Sequence, residues 1–286
     1  MIDLHTHTTA SDGTLSFEEL VAGARQSGLK AIAITDHDTV ESAAKITSLE
    51  PIEVIPGVEL TVFDFGLNYL DIHVLGLFID PKNRKLNSKL ASLERQREDQ
   101  KKETIKKLNE LGYDISFEEV RAKAKGSIGR PHIAKVLVEK YPQEFPSIPA
   151  AFEKLLGNGK PGYIGRKAGF TLREAIDLIH AAGGLSFIAH PFVYPYNPAI
   201  LAEDFRRLGG DGIETYYDYA FNRPELKLSR EDNARMIEDA RSLASRMRLL
   251  ECGGSDFHGK NKNQKIGIFG TPVEVLTKLK AARAAR

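Results

Sequence analysis

Short apolar runs alternate along the chain with longer segments whose apolar residues recur at helical spacing. Ile2-Asp3-Leu4-His5 reads as the start of a strand, and Lys30–Thr35 as a short buried strand. Val54–Val62 and Ile72–Ile79 read as two more strands. Phe17–Ser27 has helical periodicity and stops at Gly28, a natural C-terminal cap. From Pro81 to Lys125 the pattern changes to polar, charged helix, and apolar residues return at helical spacing in Ile133, Val136 and Leu137. From Gly162 the alternation resumes. Leu172–Ala182 is a helix ending in Gly183-Gly184, Leu185–Ala189 and Gly212–Tyr216 are strands, Glu231–Met247 is a helix, and Arg248–Cys252 is a last strand. The tail Pro272–Lys280 reads as helix.

Strands that alternate with helices predict parallel βαβ units and an α/β fold. Seven or so such strands predict a barrel rather than an open sheet, and 286 residues suit a single α/β barrel of about 250 residues plus an insertion. The insertion falls at 82–161, a small helical subdomain, which leaves 1–81 and 162–286 to form the barrel. No internal repeat or low-complexity tract is present.

Composition narrows the function classes. Hydrophobic residues make up 42% and charged residues 28%, with a net charge of +1, which excludes a broadly basic nucleic-acid coat or an acidic tail protein. A local basic stretch survives: 82–107 holds ten Lys/Arg against four Asp/Glu, either to steer a polyanionic substrate or as a solvated helix face. The one cysteine, Cys252, allows no internal disulfide, fits a reducing compartment and reads as a small buried hydrophobe. No basic stretch followed by an apolar one opens the chain, and no run of about 18 apolar residues occurs, so a cytoplasmic protein without membrane contact is expected.

The chemistry lies in the histidines. Six of the eight sit at or just after the ends of predicted strands. His5 and His7 are two apart on a strand, so both point to one face and can share an ion. Asp12 follows in Ser11-Asp12-Gly13, which a plain turn explains equally well. His37 lies in Thr35-Asp36-His37-Asp38, where stacked ionisable groups at the end of a buried strand are costly without a partner. Glu59 and His73 sit inside apolar strands, and a buried carboxylate needs either a salt bridge or a metal. His190 ends Leu185–His190, and Asp256 and His258 follow the last strand. Nine candidate ligands are too many for one ion with four to six ligands and suit two or three divalent ions. All fall near strand C-termini, the face on which barrel enzymes place their chemistry. His180, inside the helix Leu172–Ala182, reads as structural.

Taken with their motifs, these residues resemble the PHP (polymerase and histidinol phosphatase) family. The matching stretches are DLHTHTTASDG (3–13), AITDHD (33–38), PGVE (56–59), IHVLG (72–76), AHP (189–191) and GGSDFHG (253–259). The resemblance implies a distorted (β/α)7 barrel with a metal cluster at the strand C-termini and 82–161 as an inserted, substrate-capping subdomain. It implies a first ion held by His5, His7, Glu59 and Asp256, a second by Glu59, His73 and His190, and a third by Asp12, His37 and His258. The stretch Leu60–Asp71 is more apolar than the family pattern leads one to expect. Gly129-Arg130-Pro131-His132-Ile133-Ala134 in the insertion is similar to the stand-alone bacterial phosphoesterases of the family, which act on nucleoside 3′,5′-bisphosphates, short RNA or a cyclic sugar phosphate.

The expected reaction is removal of the 3′-phosphate from a nucleoside 3′,5′-bisphosphate. No nucleophilic Ser-His-Asp or Cys-His pairing stands out, so a hydroxide bridging two ions would attack phosphorus directly. Mixed histidine and carboxylate ligands suit Mn, Fe or Zn better than Mg. Pro131 suits the first position of a helix, so Arg130 and His132 would lie at a helix N-terminus, a phosphate site. Arg166 and Lys167 are weaker substrate candidates. The alternatives are a 5′–3′ exoribonuclease on short RNA, a cyclic sugar-phosphate phosphodiesterase, and a non-catalytic interaction domain; the complete ligand set argues against the last.

Overall fold

A computed structural model describes residues 1–47, 52–124, 128–165, 168–259 and 264–286. They form two compact units, Met1–Leu90 with Gly169–Arg286, and Ala91–Ala168.

The first unit is an α/β fold built on a curled six-stranded sheet in chain order: β1 (Ala31–Ile34), β2 (Glu53–Asp64), β3 (Tyr69–Leu77), β4 (Leu185–Ile188), β5 (Gly212–Tyr217) and β6 (Leu250–Gly254). Helix α1 (Phe17–Gln26) starts at Ser16, whose hydroxyl accepts from the Glu19 N–H while the Glu19 carboxylate accepts from the Ser16 N–H. It ends at Gly28, whose φ of 79° lets the Gly28 and Leu29 N–H groups reach back to the Arg25 and Ala24 carbonyls. β1 is buried on both faces. Ile32 and Ile34 pack with Leu20, Val21 and Ala24 of α1, while Ala31 and Ala33 join a core with Ile2, Leu4, Leu75, Phe187 and Cys252.

The strand directions differ from the expected all-parallel set. β1–β2, β4–β5 and β5–β6 are parallel, but β2–β3 and β3–β4 are antiparallel. Chain length explains the first antiparallel pair. Only Phe65–Asn68 joins β2 to β3, and a parallel return needs a crossover of about a dozen residues or more. The N-terminal segment meets both edges of the sheet. Asp3 N–H donates to the Ala31 carbonyl at 3.0 Å, and Leu4 N–H donates to the Gly253 carbonyl at 3.1 Å. Helices α6 (Leu172–Ala181), α7 (Pro198–Arg207), α9 (Arg230–Met247) and α10 (Val273–Ala284) belong to this unit, with the short α8 (Tyr219–Asn222).

Helix α2 (Arg84–Glu110) runs from the first unit into the second. The second unit adds α3 (Phe117–Arg121), α4 (Arg130–Lys140) and α5 (Ile148–Ala151) around a core of Leu108, Val120, Ile133, Leu137, Phe145 and Leu156. Among the described residues no helix is long and apolar enough to cross a membrane.

Candidate metal centre

The site is built from segments that follow or interrupt strands. His5 and His7 lie on the N-terminal segment, His37 follows β1, Glu59 and His73 sit in β2 and β3, His190 follows β4, and Asp256 and His258 follow β6. Buried hydrogen bonds hold these segments in register. Asp36 accepts from the Thr8 N–H (2.7 Å), the Thr8 hydroxyl (2.8 Å) and the Ser11 hydroxyl (2.6 Å), which ties the turn carrying Asp12 to the end of β1. Asp38 accepts from the Thr61 N–H and hydroxyl and sews the His37 loop to β2. Asp3 accepts from the Ser255 N–H and hydroxyl, drawing the loop of Asp256 against the N-terminal segment. That approach requires Gly254, because a Cβ there would lie 2.4 Å from the His5 nitrogen.

Three non-glycine residues of the site have positive φ: Asp38 at 52°, His190 at 30° and Asp256 at 53°. Such backbone costs energy and persists only where the surroundings impose it, a common property of functional loops.

The structure gathers the other eight candidate ligands into one site about Glu59, which is fully buried. Its Oε2 lies 3.2 Å from His5 Nε2, 3.2 Å from His7 Nε2 and 3.1 Å from His37 Nδ1. Its Oε1 lies 3.0 Å from His73 Nδ1 and 3.2 Å from His190 Nε2. Asp256 Oδ1 approaches His5 Nε2 at 3.4 Å, His7 Nε2 at 3.3 Å and His258 Nδ1 at 3.5 Å. Asp12, the exposed member, faces His258 Nε2 at 3.4 Å, with His7 and His37 slightly farther.

Electrostatics make this arrangement expensive without cations. Burial works against the Glu59 and Asp256 charges, yet the surrounding imidazoles hold both carboxyls well below the usual range. Burial lowers His7, but the carboxylates of Asp256 and Glu59 beside its Nε2, at 3.3 and 3.2 Å, outweigh it and push the imidazole up to about 10. His37 goes the other way, down to about 3, chiefly through desolvation. Several buried donor and acceptor atoms still lack a hydrogen-bond partner: His5 Nε2, both nitrogens of His7, Glu59 Oε2, His73 Nδ1 and His190 Nδ1. Unpartnered polar atoms in a buried site are rare. Divalent cations fit them, since the donors are imidazole nitrogens and carboxylate oxygens converging from several directions. Four sets of such atoms lie within 4.8 Å of one another: His7/Asp12/His37/His258, His5/His7/Asp256, His5/Glu59/His190 and His37/Glu59/His73.

Two groups outside the nine support the site. Glu214, in β5 and fully buried, accepts from His5 Nδ1–H at 3.0 Å. The Tyr217 hydroxyl donates to Asp256 Oδ2 at 3.0 Å. Sequence reasoning misses Glu214, although a signal exists: it is a lone carboxylate in the otherwise uncharged strand GIETYY, the same mark that singles out Glu59.

Arg130 and His132 open α4 in the second unit. There Arg130 Nη1 donates to the Leu156 carbonyl and to Asn158 Oδ1, and the guanidinium lies 5.1 Å from the Tyr163 ring centroid. His132 Nδ1 accepts from the Gly129 N–H at 2.9 Å, capping its own helix. Arg166 and Lys167 lie outside the described residues. His180 Nε2 pairs with Asp211 at 2.8 Å, away from the nine, and Cys252 is buried in the core.

A buried multi-imidazole site with a central carboxylate, carried by β2, β3 and the segments that flank the other strands of a curled α/β sheet, fits a metal-dependent hydrolase. The PHP domain model matches residues 3–160, and the chain belongs to the PHP family and is a metal-dependent phosphoesterase. A 5′–3′ exoribonuclease of Haemophilus influenzae is 37% identical over 219 residues, 74% of this chain and 77% of that protein. A phosphoribosyl 1,2-cyclic phosphate 1,2-diphosphodiesterase of Eggerthella lenta is 30% identical over 90% of this chain and 94% of its own length. A 3′,5′-nucleoside bisphosphate phosphatase of Chromobacterium violaceum is 29% identical over 90% of this chain and 87% of its own. The solved structure of an amidohydrolase from Chromobacterium violaceum, with bound sulfate and no metal, matches with a TM-score of 0.74 at 28% identity, covering 98% of this chain and 96% of that one.

Proposed function

We propose that this phosphoesterase releases the 3′-phosphoryl group from a 5′-phosphorylated ribonucleotide, with nucleoside 3′,5′-bisphosphates as its first substrate. The observation that carries the reading is the split of Glu59. One of its oxygens faces His5, His7 and His37, and the other faces His73 and His190, the arrangement a carboxylate needs to bridge two cations. In this reading His5, His7, Glu59 and Asp256 hold one ion, Glu59, His73 and His190 a second, and Asp12, His37 and His258 a third. The donor set favours Mn, Fe or Zn. Bound ions would supply an activated water and neutralise charge on the phosphoryl oxygens. The protein's own part is to fix the imidazoles, keep Glu59 and Asp256 ionised, and shield the buried face of the site from bulk water.

We also read the N-terminal segment as the seventh strand of a distorted (β/α)7 barrel, a reading supported by its hydrogen bonds to Ala31 and Gly253. The insertion 82–161 is assigned a substrate-capping role, with Arg130 and His132 as the proposed phosphate contacts.

A second reading, 5′–3′ exoribonuclease on short RNA, is favoured by the similarity to the Haemophilus influenzae protein. The two readings share chemistry. In both substrates the phosphoryl group under attack hangs on the 3′-oxygen of a nucleotide that carries a 5′-phosphate. The test is phosphate release from adenosine 3′,5′-bisphosphate by Mn²⁺-loaded protein, beside nucleotide release from a 5′-phosphorylated RNA and turnover of a cyclic sugar phosphate. Fast turnover of the bisphosphate, lost on chelation, supports the first reading. Turnover of RNA alone, or of the cyclic phosphate alone, replaces it. Bound ions without any turnover reject all three in favour of a non-catalytic domain.

A further inference from the structure

We propose that Glu214 is a positioning residue that fixes the tautomer of His5 and the backbone of His190 for the ion cluster. The role rests on the metal-centre reading above. Glu214 lies in the middle of β5 and is fully buried. A carboxylate in such a place is costly unless its oxygens find donors, and both do. Oε1 accepts from His5 Nδ1–H at 3.0 Å, and Oε2 accepts from the His190 N–H at 2.7 Å. One side chain on one strand therefore ties down residues from two other segments.

The consequence for His5 follows from imidazole chemistry. A neutral ring carries a single N–H, and a carboxylate can only accept. Donation from Nδ1 to Glu214 places the proton on Nδ1 and leaves the lone pair on Nε2. Nε2 is the atom that faces Glu59 Oε2 at 3.2 Å and Asp256 Oδ1 at 3.4 Å, where it has no hydrogen-bond partner. The opposite tautomer would put a proton where a cation must bind. The carboxylate also makes His5 a better electron-pair donor. At His190 the bond restrains a residue held at a φ of 30°, a backbone conformation that side chains avoid. Glu214 is not itself a ligand in this arrangement. It belongs to none of the four convergent donor sets among the described residues, and its oxygens meet His5 on the side of the ring away from Glu59.

Glu214→Gln keeps the shape but offers one acceptor and one donor group where two acceptors are required, so one of the two contacts is lost or reversed. Bound Mn²⁺ per chain would be counted by elemental analysis, and affinity measured by competition with a chelating indicator. Circular dichroism and thermal melting report the fold. Long-range ¹H–¹⁵N spectra of Zn²⁺-loaded protein report the His5 tautomer. The expected result is a folded Glu214→Gln protein whose ion affinity falls by about 10- to 100-fold, with wild-type His5 protonated on Nδ1. A folded variant that keeps wild-type ion count and affinity overturns the role. So does a wild-type His5 that carries its proton on Nε2, a measurement that decides the matter even where the variant does not fold. A wild-type protein that binds no ion overturns the metal centre and this role with it. Because ions are counted directly, an error about the substrate leaves the test unaffected.

Discussion

Glu59 Oε2 stands 3.2 Å from His7 Nε2, and both side chains are completely buried. Burial raises the cost of each charge in the pair, and the neighbouring group supplies part of the compensation. Removing the carboxylate should therefore release the cations and end catalysis. Glu59→Ala is expected to cost several kcal/mol of transition-state stabilisation, a loss of about 10²-fold or more in kcat. Bound ions per chain should fall as well, with the far-ultraviolet circular dichroism unchanged. A fully active Glu59→Ala protein would sink the bridging scheme.

Cations bound only by the folded site must stabilise it. At a free Mn²⁺ concentration 100 times the dissociation constant, a single site contributes about 2.7 kcal/mol. For a domain of this size that amounts to a rise in Tm of roughly 5 to 10 °C. Differential scanning fluorimetry with Mn²⁺, then with excess chelator, checks it. A Tm indifferent to both additions would mean that the nine residues do not form an ion site.

The opposite displacements of His7 and His37 give the metal-free protein a stability optimum near neutrality. His7 titrates at about 10 when folded and at 6.5 in its reference state, so its contribution is complete below 6.5 and lost as the pH rises through 10. His37 titrates at about 3 when folded, so protonation favours the unfolded chain and stability declines as the pH falls from 6.5 towards 3. Glu59, held down by His37, His5 and His73 against its burial, adds to the acid loss below its usual range near 4.5. Urea midpoints of chelated protein from pH 4 to 10 should trace this dome, and His7→Gln should flatten its alkaline side. A wild-type midpoint that stays level from pH 7 to 10 would rule out the charged His7.

Many of these features are legible in the amino-acid sequence. AIAI of β1 and LSFI of β4 are apolar enough to be recognised as strands buried on both faces. His37, Glu59 and His73 stand out because ionisable groups inside apolar runs demand a partner. Strand direction is not legible, because period-two alternation carries no sign, and only the short Phe65–Asn68 connection betrays the antiparallel β2–β3 pair. Glu214 carries the same mark as Glu59, a lone carboxylate in an apolar strand, but its partners, His5 and the His190 N–H, are set by the fold. The surroundings of Arg130 are hidden for the same reason. Pro131 marks a helix start, but nothing local to it announces Asn158 or Tyr163.

Arg130 can serve two masters, and substitution separates them. Within its unit the guanidinium bonds the Leu156 carbonyl and Asn158 and lies against Tyr163. A cation over an aromatic face contributes about 0.5 to 1 kcal/mol at a partly exposed site, and a hydrogen bond from a charged donor about 1.5 to 3 kcal/mol. Arg130→Ala should therefore lower stability by about 1 to 3 kcal/mol whatever its part in catalysis. Arg130→Lys keeps the positive charge but loses the planar fork that bonds two acceptors at once. If Arg130 also binds substrate phosphate, Arg130→Lys should raise KM for the bisphosphate by about 10-fold or more, with a smaller change in kcat. Steady-state kinetics beside thermal melts decide between the roles. Lower stability in both variants with an unchanged KM would assign Arg130 to the architecture of its unit and remove it from the substrate contacts.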